Sequence, residues 1–279
     1  MEDLYNDPFN ASQDLSIYSG LDEVVSSHQL KEELKEKYKN LVYHKTKFPT
    51  LNELIGGFLG GEVCVVSGIT KHGKTLFCQT LTCHFSESQV PCLWFTYEVP
   101  VMQFLFQFGE DLPHFYMPKI LKDKNLDWIY DRIKEAKAKF NIKVIFIDHL
   151  HFLADIMIKT HPSLEIGRVM RTLKRWAVDL EITIFIVAHT HKIKPDQELD
   201  TGDVRDSSFI EQEADNVFYI WRSKNKENEA ILKITANRGR GVMNKKITLF
   251  KKGNYLVEKI DLQHLDELTS DEDDFGRED

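Results

Sequence analysis

Cysteine is scarce and unpaired in this sequence. Cys64, Cys78, Cys83 and Cys92 are the only four among 279 residues, and no two stand in a C-x-x-C arrangement. That excludes a disulfide framework and a thiolate zinc site of ordinary spacing, and it suits small core residues in a reducing compartment. No run approaches the roughly eighteen apolar residues of a membrane helix, so no membrane partner is expected. The opening residues carry Glu2, Asp3 and Asp7 and no base, which argues against a signal or transit peptide. Lysine and arginine are missing altogether from residues 1–24, whose net charge is −6. Residues 261–279 hold nine acids against Arg277, a net −8, so the total of −8 leaves the body, residues 25–260, at +6. A basic body between two acidic tails is compatible with a polyanionic partner.

What is present begins with one motif. Gly68, Ile69, Thr70, Lys71, His72, Gly73, Lys74 and Thr75 match G-x-x-x-x-G-K-[ST] in full. The motif follows a short β-branched run, 62–67, and precedes a stretch from Leu76 with neither Gly nor Pro, so it sits between a predicted strand and a predicted helix. In that setting the loop turns backbone N–H groups around a phosphate, and the helix adds its positive N-terminal end. Together with Leu76 these residues form the expected nucleotide-binding set. Lys74 would reach the β/γ-phosphates of ATP or another nucleoside triphosphate, and Thr75 would offer its hydroxyl to Mg²⁺.

From residue 51 to 180 the pattern alternates strand and helix. Strands are predicted at 62–67, 91–97 and 142–147, and helices at 75–87, about 100–109, about 126–140 and 163–180. This predicts an α/β fold with a mostly parallel central sheet flanked by helices. A further buried strand is predicted at 182–188. Runs at 215–221, 230–236, 246–250 and 255–260, joined by short polar links, read as antiparallel strands extending that sheet. Ahead of the core, Leu30, Leu34 and Tyr38 fall four apart on an otherwise charged helix. Its narrow apolar stripe could dock on this chain's own body or on a neighbour's. The expected organisation is an acidic segment and linker helix over 1–44, an ATPase domain over 45–260 and an acidic disordered tail over 261–279.

In parallel sheets chemistry gathers at the carboxyl ends of strands. Asp148 directly follows an apolar strand, where a P-loop ATPase places the acid that holds Mg²⁺. Glu98 ends the strand before it and could orient the water that attacks the γ-phosphate. His189 ends the strand 182–188 and could touch the γ-phosphate and report its loss. His149, His151, His189 and His191 form two H-x-H pairs. With no cysteine or further carboxylate to complete a tetrahedral set, a dedicated transition-metal site is not expected.

Taken together, residues 63–75, the Glu98 and Asp148 segments, Ala188 with His189, the block 203–217 and the segment 234–241 resemble the ATPase domain of DnaB-like hexameric replicative helicases. The resemblance covers about 45–260, and the block 203–217 is its most specific part. The Asp-His pair at 148–149 and the His at 189 look closer to the phage helicase–primase and mitochondrial Twinkle branch than to bacterial DnaB.

The resemblance implies a RecA-like P-loop fold and a homo-oligomeric ring, usually of six subunits, that moves along single-stranded DNA while hydrolysing ATP between subunits. Lys74, Thr75, Asp148, Glu98 and His189 would act in cis, and Arg238 would be the arginine finger offered to the neighbour's nucleotide. Arg238 is expected to project outward from a turn bounded by Gly239 and Gly241. The family often has a Lys two residues before the finger, and Ala236 stands there. DNA contacts are expected from loops 151–162 and 190–206, with Lys159, Lys192 and Lys194 as candidates. The run Asp271 to Phe275 resembles the acidic tail by which phage replicative helicases engage a polymerase; a primase or loader is the alternative partner.

About 45 residues precede the core, too few for a primase or helical collar domain. The expectation is therefore a stand-alone phage-type helicase or a core relying on separate partners, in the cytoplasm of a bacterial or phage-infected cell. A RecA-like recombinase, forming open filaments from a similar interface, and a KaiC-like regulatory ATPase are the alternatives.

Overall fold

The computed structural model describes residues 23–39, 41–123, 125–153, 162–189, 210, 212–223, 226 and 228–259, and the structural statements below concern these. They divide into two units between Val42 and Tyr43. The first contains helix α1 (Ser27–Lys39). Ser26 caps it, its hydroxyl oxygen accepting from the Gln29 N–H at 3.1 Å, which satisfies a donor that the first turn leaves without a helical partner.

The second unit runs α2 (Pro49–Ile55), β1 (Val63–Ser67), α3 (Lys74–Glu87), β2 (Cys92–Thr96), α4 (Val101–Phe106), α5 (Leu126–Phe140), β3 (Val144–Asp148), α6 (Pro162–Leu180), β4 (Thr183–Val187), β5 (Asn216–Arg222), β6 (Glu229–Asn237), β7 (Lys245–Lys252) and β8 (Tyr255–Glu258). One eight-stranded sheet has the order β2-β3-β4-β1-β5-β6-β7-β8. Its first five strands are parallel and the remaining pairings antiparallel.

Two features correct the sequence expectation. The run expected at 215–221 as an antiparallel strand is β5, and it lies parallel to β1, with Cys64 opposite Asn216 and Ser67 opposite Tyr219. Residues 188–215 separate β4 from β5, ample length for the crossover that a parallel pair requires. Antiparallel pairing begins only at β6. The second is α2, over Pro49–Ile55, where no element was expected. Pro49 opens it, and Gly56, at φ 80°, closes it with its N–H on the Asn52 carbonyl; this Pro-first, Gly-last pattern suits a short helix.

Alternate residues of each central strand enter two cores. On one face Val65, Phe95, Ile147 and Ile186 meet Ile129 and Ile133 of α5 and Val169, Leu173 and Trp176 of α6. On the other, Val66, Trp94, Phe146, Phe185 and Phe218 meet Leu51 of α2, Phe77, Leu81 and Phe85 of α3, and Phe104 of α4. The second face is largely aromatic, with ring centroids 4.7 Å apart for Trp94–Phe146, 4.9 Å for Phe146–Phe185 and 4.8 Å for Phe58–Phe185. The buried indole N–H of Trp94 donates to the Thr82 hydroxyl at 2.9 Å, leaving no polar cost for so large a group. Cys64, Cys78 and Cys92 are buried and all four cysteines are free; burial raises their thiol pKa values, as expected for inert core residues. Among the described residues no helix is long and apolar enough to cross a membrane.

Candidate active site

The strand order decides what meets at the carboxyl edge of the sheet. β1 ends in the glycine loop, β4 and β5 flank it, and β3 and β2 follow beyond β4. Gly68 leaves β1 at φ 151°, and a Cβ there would lie 2.1 Å from the Ile220 carbonyl oxygen of β5, so only glycine lets the loop turn so close to its neighbour strand. Lys71 and Gly73 also take positive φ, 67° and 102°, and Gly73 is the N-cap of α3. Runs of this kind turn N–H groups into an anion-binding hollow at a helix N-terminus.

Lys74 is buried, and its ammonium donates to the carbonyls of Gly68 at 2.9 Å and Ile69 at 3.1 Å. Burial lowers its pKa, opposed by the negative charges of Asp148 and Glu98. The Thr75 hydroxyl donates to Asp148 Oδ2 at 2.7 Å. The second carboxylate oxygen, Oδ1, is buried without a hydrogen-bond partner among the described residues. Burial, reinforced by Glu98, pushes Asp148 up to about 7 against the opposing Thr75 bond and Lys74 charge. An orphaned carboxylate oxygen beside a hydroxyl is the oxygen donor set that Mg²⁺ takes, and a cation there would restore the ionised form. The residues therefore fit the ion.

A cleft of about 490 Å³ is lined by Thr70, Lys71, Gly73, Lys74, Thr75, Leu76, Glu98 and His189 among others. The structure thus brings together Lys74, Thr75, Glu98 and His189, with Asp148 joined through Thr75. Gly68 and Ile69 line the loop's inner side through their carbonyls, while His72 faces an adjoining 190 Å³ cavity. His149 lies between Glu98 and His189, its Nδ1 3.6 Å from Glu98 Oε2 and its ring 4.2 Å from that of His189. Burial, then the neighbouring His189, His151 and Lys74, lowers His149 to about 3, so its imidazole is neutral. This corrects the expectation that no carboxylate accompanies the histidines: Glu98 does, because β2 and β4 flank β3 in the sheet.

Arg238 is corrected in orientation. Its guanidinium folds back on its own domain, donating to the Gln212 carbonyl at 2.6 Å and lying 3.5 Å from Asp215 Oδ1. Its N–H donates to the Asp215 carbonyl at 2.8 Å. The turn is surrounded by acceptors, and a charged donor takes them. Asp215 also accepts from the Val63 N–H at 2.8 Å and pairs with Lys174 at 2.7 Å. Asn216 pairs with Asn237 and Cys64 with Asn216, so Arg238 sits at the edge where β1 begins. The P-loop leaves the other end of that five-residue strand, about 16 Å away. Within one chain the two do not meet.

Sequence reasoning missed Arg222, Lys251 and Asn254, which line the same cleft. Arg222 ends β5, next to the P-loop strand, and its N–H donates to His72 Nδ1 at 3.2 Å. Lys159, Lys192, Lys194 and residues 261–279 lie outside the described residues.

Comparison with known proteins matches residues 117–273 to the DnaB-like helicase C-terminal domain and residues 32–194 to an AAA domain. The first match alone covers more than half of the chain. The chain belongs to the DnaB-like helicase C-terminal domain family. Among curated DnaB-like relatives, the replicative DNA helicase DnaB of Haemophilus influenzae is 22% identical over 245 residues, 74% of this chain and 52% of that protein. A probable plasmid replicative DNA helicase of Chlamydia psittaci is 28% identical over 112 residues, 39% of this chain and 24% of that one. The chain thus spans about half the length of the DnaB proteins it matches over most of its length. Among solved structures, one of a DnaB-like replicative helicase and its interactions with primase superposes with a TM-score of 0.69 at 17% identity, covering 87% of this chain and 69% of that one. A second solved structure, of an ATPase domain by itself, gives 0.69 at 16% identity, covering 84% and 97%. The RecA-like DnaB fold expected from sequence is the fold observed.

Proposed function

We propose that the chain is the ATP-hydrolysing motor of a DnaB-like replicative helicase, working as a homo-oligomeric ring on single-stranded DNA. The observation that carries the reading is convergence: the ends of β1, β2, β3 and β4 bring Lys74, Thr75, Glu98, Asp148 and His189 around one cleft. Lys74 neutralises phosphate charge, and Glu98 orients and polarises the attacking water. His189 contacts the γ-phosphate and registers its departure. Thr75 and Asp148 hold Mg²⁺, which when bound offsets the charge developing on the phosphate oxygens. Arg238, too far from its own P-loop, completes the neighbour's site.

The family match favours this reading over a recombinase or a KaiC-like switch. The six-membered ring, the DNA contacts of Lys159, Lys192 and Lys194, a polymerase, primase or loader at the acidic tail, and residence in a bacterial or phage-infected cytoplasm belong to the same proposal. The deciding experiment is unwinding of a forked DNA duplex by the purified chain with Mg²⁺ and ATP. Strand separation that Lys74→Ala abolishes supports the motor; ATP hydrolysis without any strand separation, over a range of duplex lengths and with either fork polarity, overturns it in favour of a switch.

A further inference from the structure

His149 and His189, one from each H-x-H pair, acquire a third partner, Glu98, in three dimensions. Glu98, His149 and His189 each offer one donor atom, and the three atoms lie within 4.8 Å of one another. We propose that these three side chains form a binding site for a divalent transition metal of the zinc class, separate from the Mg²⁺ position, and that its occupation switches hydrolysis off.

Zinc bonded at about 2.0–2.1 Å holds tetrahedral ligand atoms about 3.3 Å apart. His149 Nδ1 and Glu98 Oε2 already stand at 3.6 Å, and the two imidazole rings at 4.2 Å. Glu98 is 40% exposed at its side chain, so its carboxylate can turn toward that spacing. His149 Nδ1 is buried without a hydrogen-bond partner among the described residues, a state that ordinarily calls for a partner. His151 stands farther off, 5.7 and 5.9 Å ring to ring from His149 and His189, which leaves the fourth position open. Two imidazoles and a carboxylate with an open position are a common zinc set. Nitrogen donors also separate this site from the oxygen-lined Mg²⁺ position of Thr75 and Asp148.

The consequence for turnover rests on the proposed role of Glu98. A carboxylate held by a metal can no longer take up the attacking water, so Zn²⁺ would inhibit even with Mg²⁺ and ATP in excess. Metal binding itself does not depend on that role.

The test has two arms on the full chain. In the first, Zn²⁺ is titrated against a chromophoric chelator and Co²⁺ is followed by its visible d–d absorption, both without nucleotide. One tight equivalent is expected, together with the intense absorption of four- or five-coordinate cobalt. Glu98→Gln and His149→Gln should each weaken binding about tenfold or more, while Asp148→Asn should leave it in place. Glu98→Gln lies at the surface and spares the core, so loss of binding there cannot be put down to misfolding. Affinity unchanged by both variants overturns the site. In the second arm, hydrolysis should fall with one equivalent of Zn²⁺ and recover with a zinc-selective chelator that spares Mg²⁺. Full turnover with Zn²⁺ bound overturns the switch. A chain that hydrolyses no ATP under any condition defeats the proposed function, yet the first arm still reads the metal site.

Discussion

Asp148 shows how a candidate metal ligand is held at a cost. Burial and the Glu98 carboxylate raise its pKa to about 7, against the Thr75 hydrogen bond and the Lys74 charge. A carboxyl raised in the folded state binds more protons there than in the unfolded chain, between about 4 and 7. Ionisation therefore weakens the fold as pH rises through that window, and the loss is complete above the folded pKa. Asp148→Asn keeps an acceptor for Thr75 and removes the charge. The nucleotide- and metal-free variant should be more stable than the native chain at pH 8, with about 4 kcal/mol as an upper bound, and the gap should shrink toward pH 5. His149 acts with the opposite sign: its pKa, lowered to about 3, costs stability as pH falls below its unfolded value near 6.5, equally in both proteins. Thermal melts at the two pH values check the difference; a less stable variant at pH 8 would mean that folding does not raise the Asp148 pKa. Glu98 reads differently. Because it is exposed and makes none of the hydrogen bonds that Lys74 and Thr75 make, Glu98→Gln should still bind ATP, with turnover falling at least about a hundredfold, within the usual worth of positioned acid–base groups. Nucleotide binding by fluorescence titration beside a phosphate-release assay separates the two effects. Equal loss of both would make Glu98 structural.

At the scale of elements, the turn from β1 into the P-loop depends on contact with β5. A Cβ on Gly68 would meet the Ile220 carbonyl oxygen at 2.1 Å, whereas one on Gly73 would meet nothing within 4 Å. Gly68→Ala must push two paired strands apart and should lose more than about 3 kcal/mol. Gly73→Ala, at φ 102°, carries backbone strain alone, of order 1–3 kcal/mol. Urea midpoints for the two variants test the order, and equal losses would show that the contact relaxes freely. The same pair of strands marks where the sequence ceased to be informative. Strand–helix alternation and the complete P-loop made β1 to β4 and α3, α5 and α6 legible, because their hydrophobic patterns and breakers are local. β5 is buried at five consecutive positions, a pattern that parallel and antiparallel neighbours share, so its direction was not readable. Had β5 been read as parallel, the rule that chemistry sits at carboxyl ends would have pointed to Arg222. α2 was missed at seven residues, although Pro49 and Gly56 marked both ends. The company of Glu98 with His149 and His189 was invisible, since it comes from strand order rather than spacing.

For the whole molecule, the decisive geometry is a separation. Arg238 lies at the edge where β1 begins, and the P-loop departs from the far end of that strand, so one chain cannot apply its own Arg238 to its own nucleotide. In an isolated subunit the guanidinium is occupied by the Gln212 carbonyl and Asp215, an arrangement that a neighbour's phosphate must displace. A phosphate accepts a forked guanidinium in two charge-assisted bonds, whereas its hydrogen bond here is to the neutral Gln212 carbonyl, so assembly around bound nucleotide gives the side chain a reason to leave. Arg238→Ala should then bind ATP nearly as well as the native chain and lose on the order of a thousandfold in turnover, the lower end for arginine fingers. Lys74→Ala should be inactive through the opposite half of the same interface. Mixing the two inactive proteins should restore part of the activity, because some interfaces pair an intact Arg238 with an intact Lys74. The recovered rate should rise and fall with mixing ratio and peak between the pure parents. Energy transfer between labelled subunits must first establish that chains exchange. With exchange demonstrated, a mixture as inactive as either parent at every ratio would place Arg238 outside the neighbour's site, and the hydrolytic centre would have to be complete within one chain.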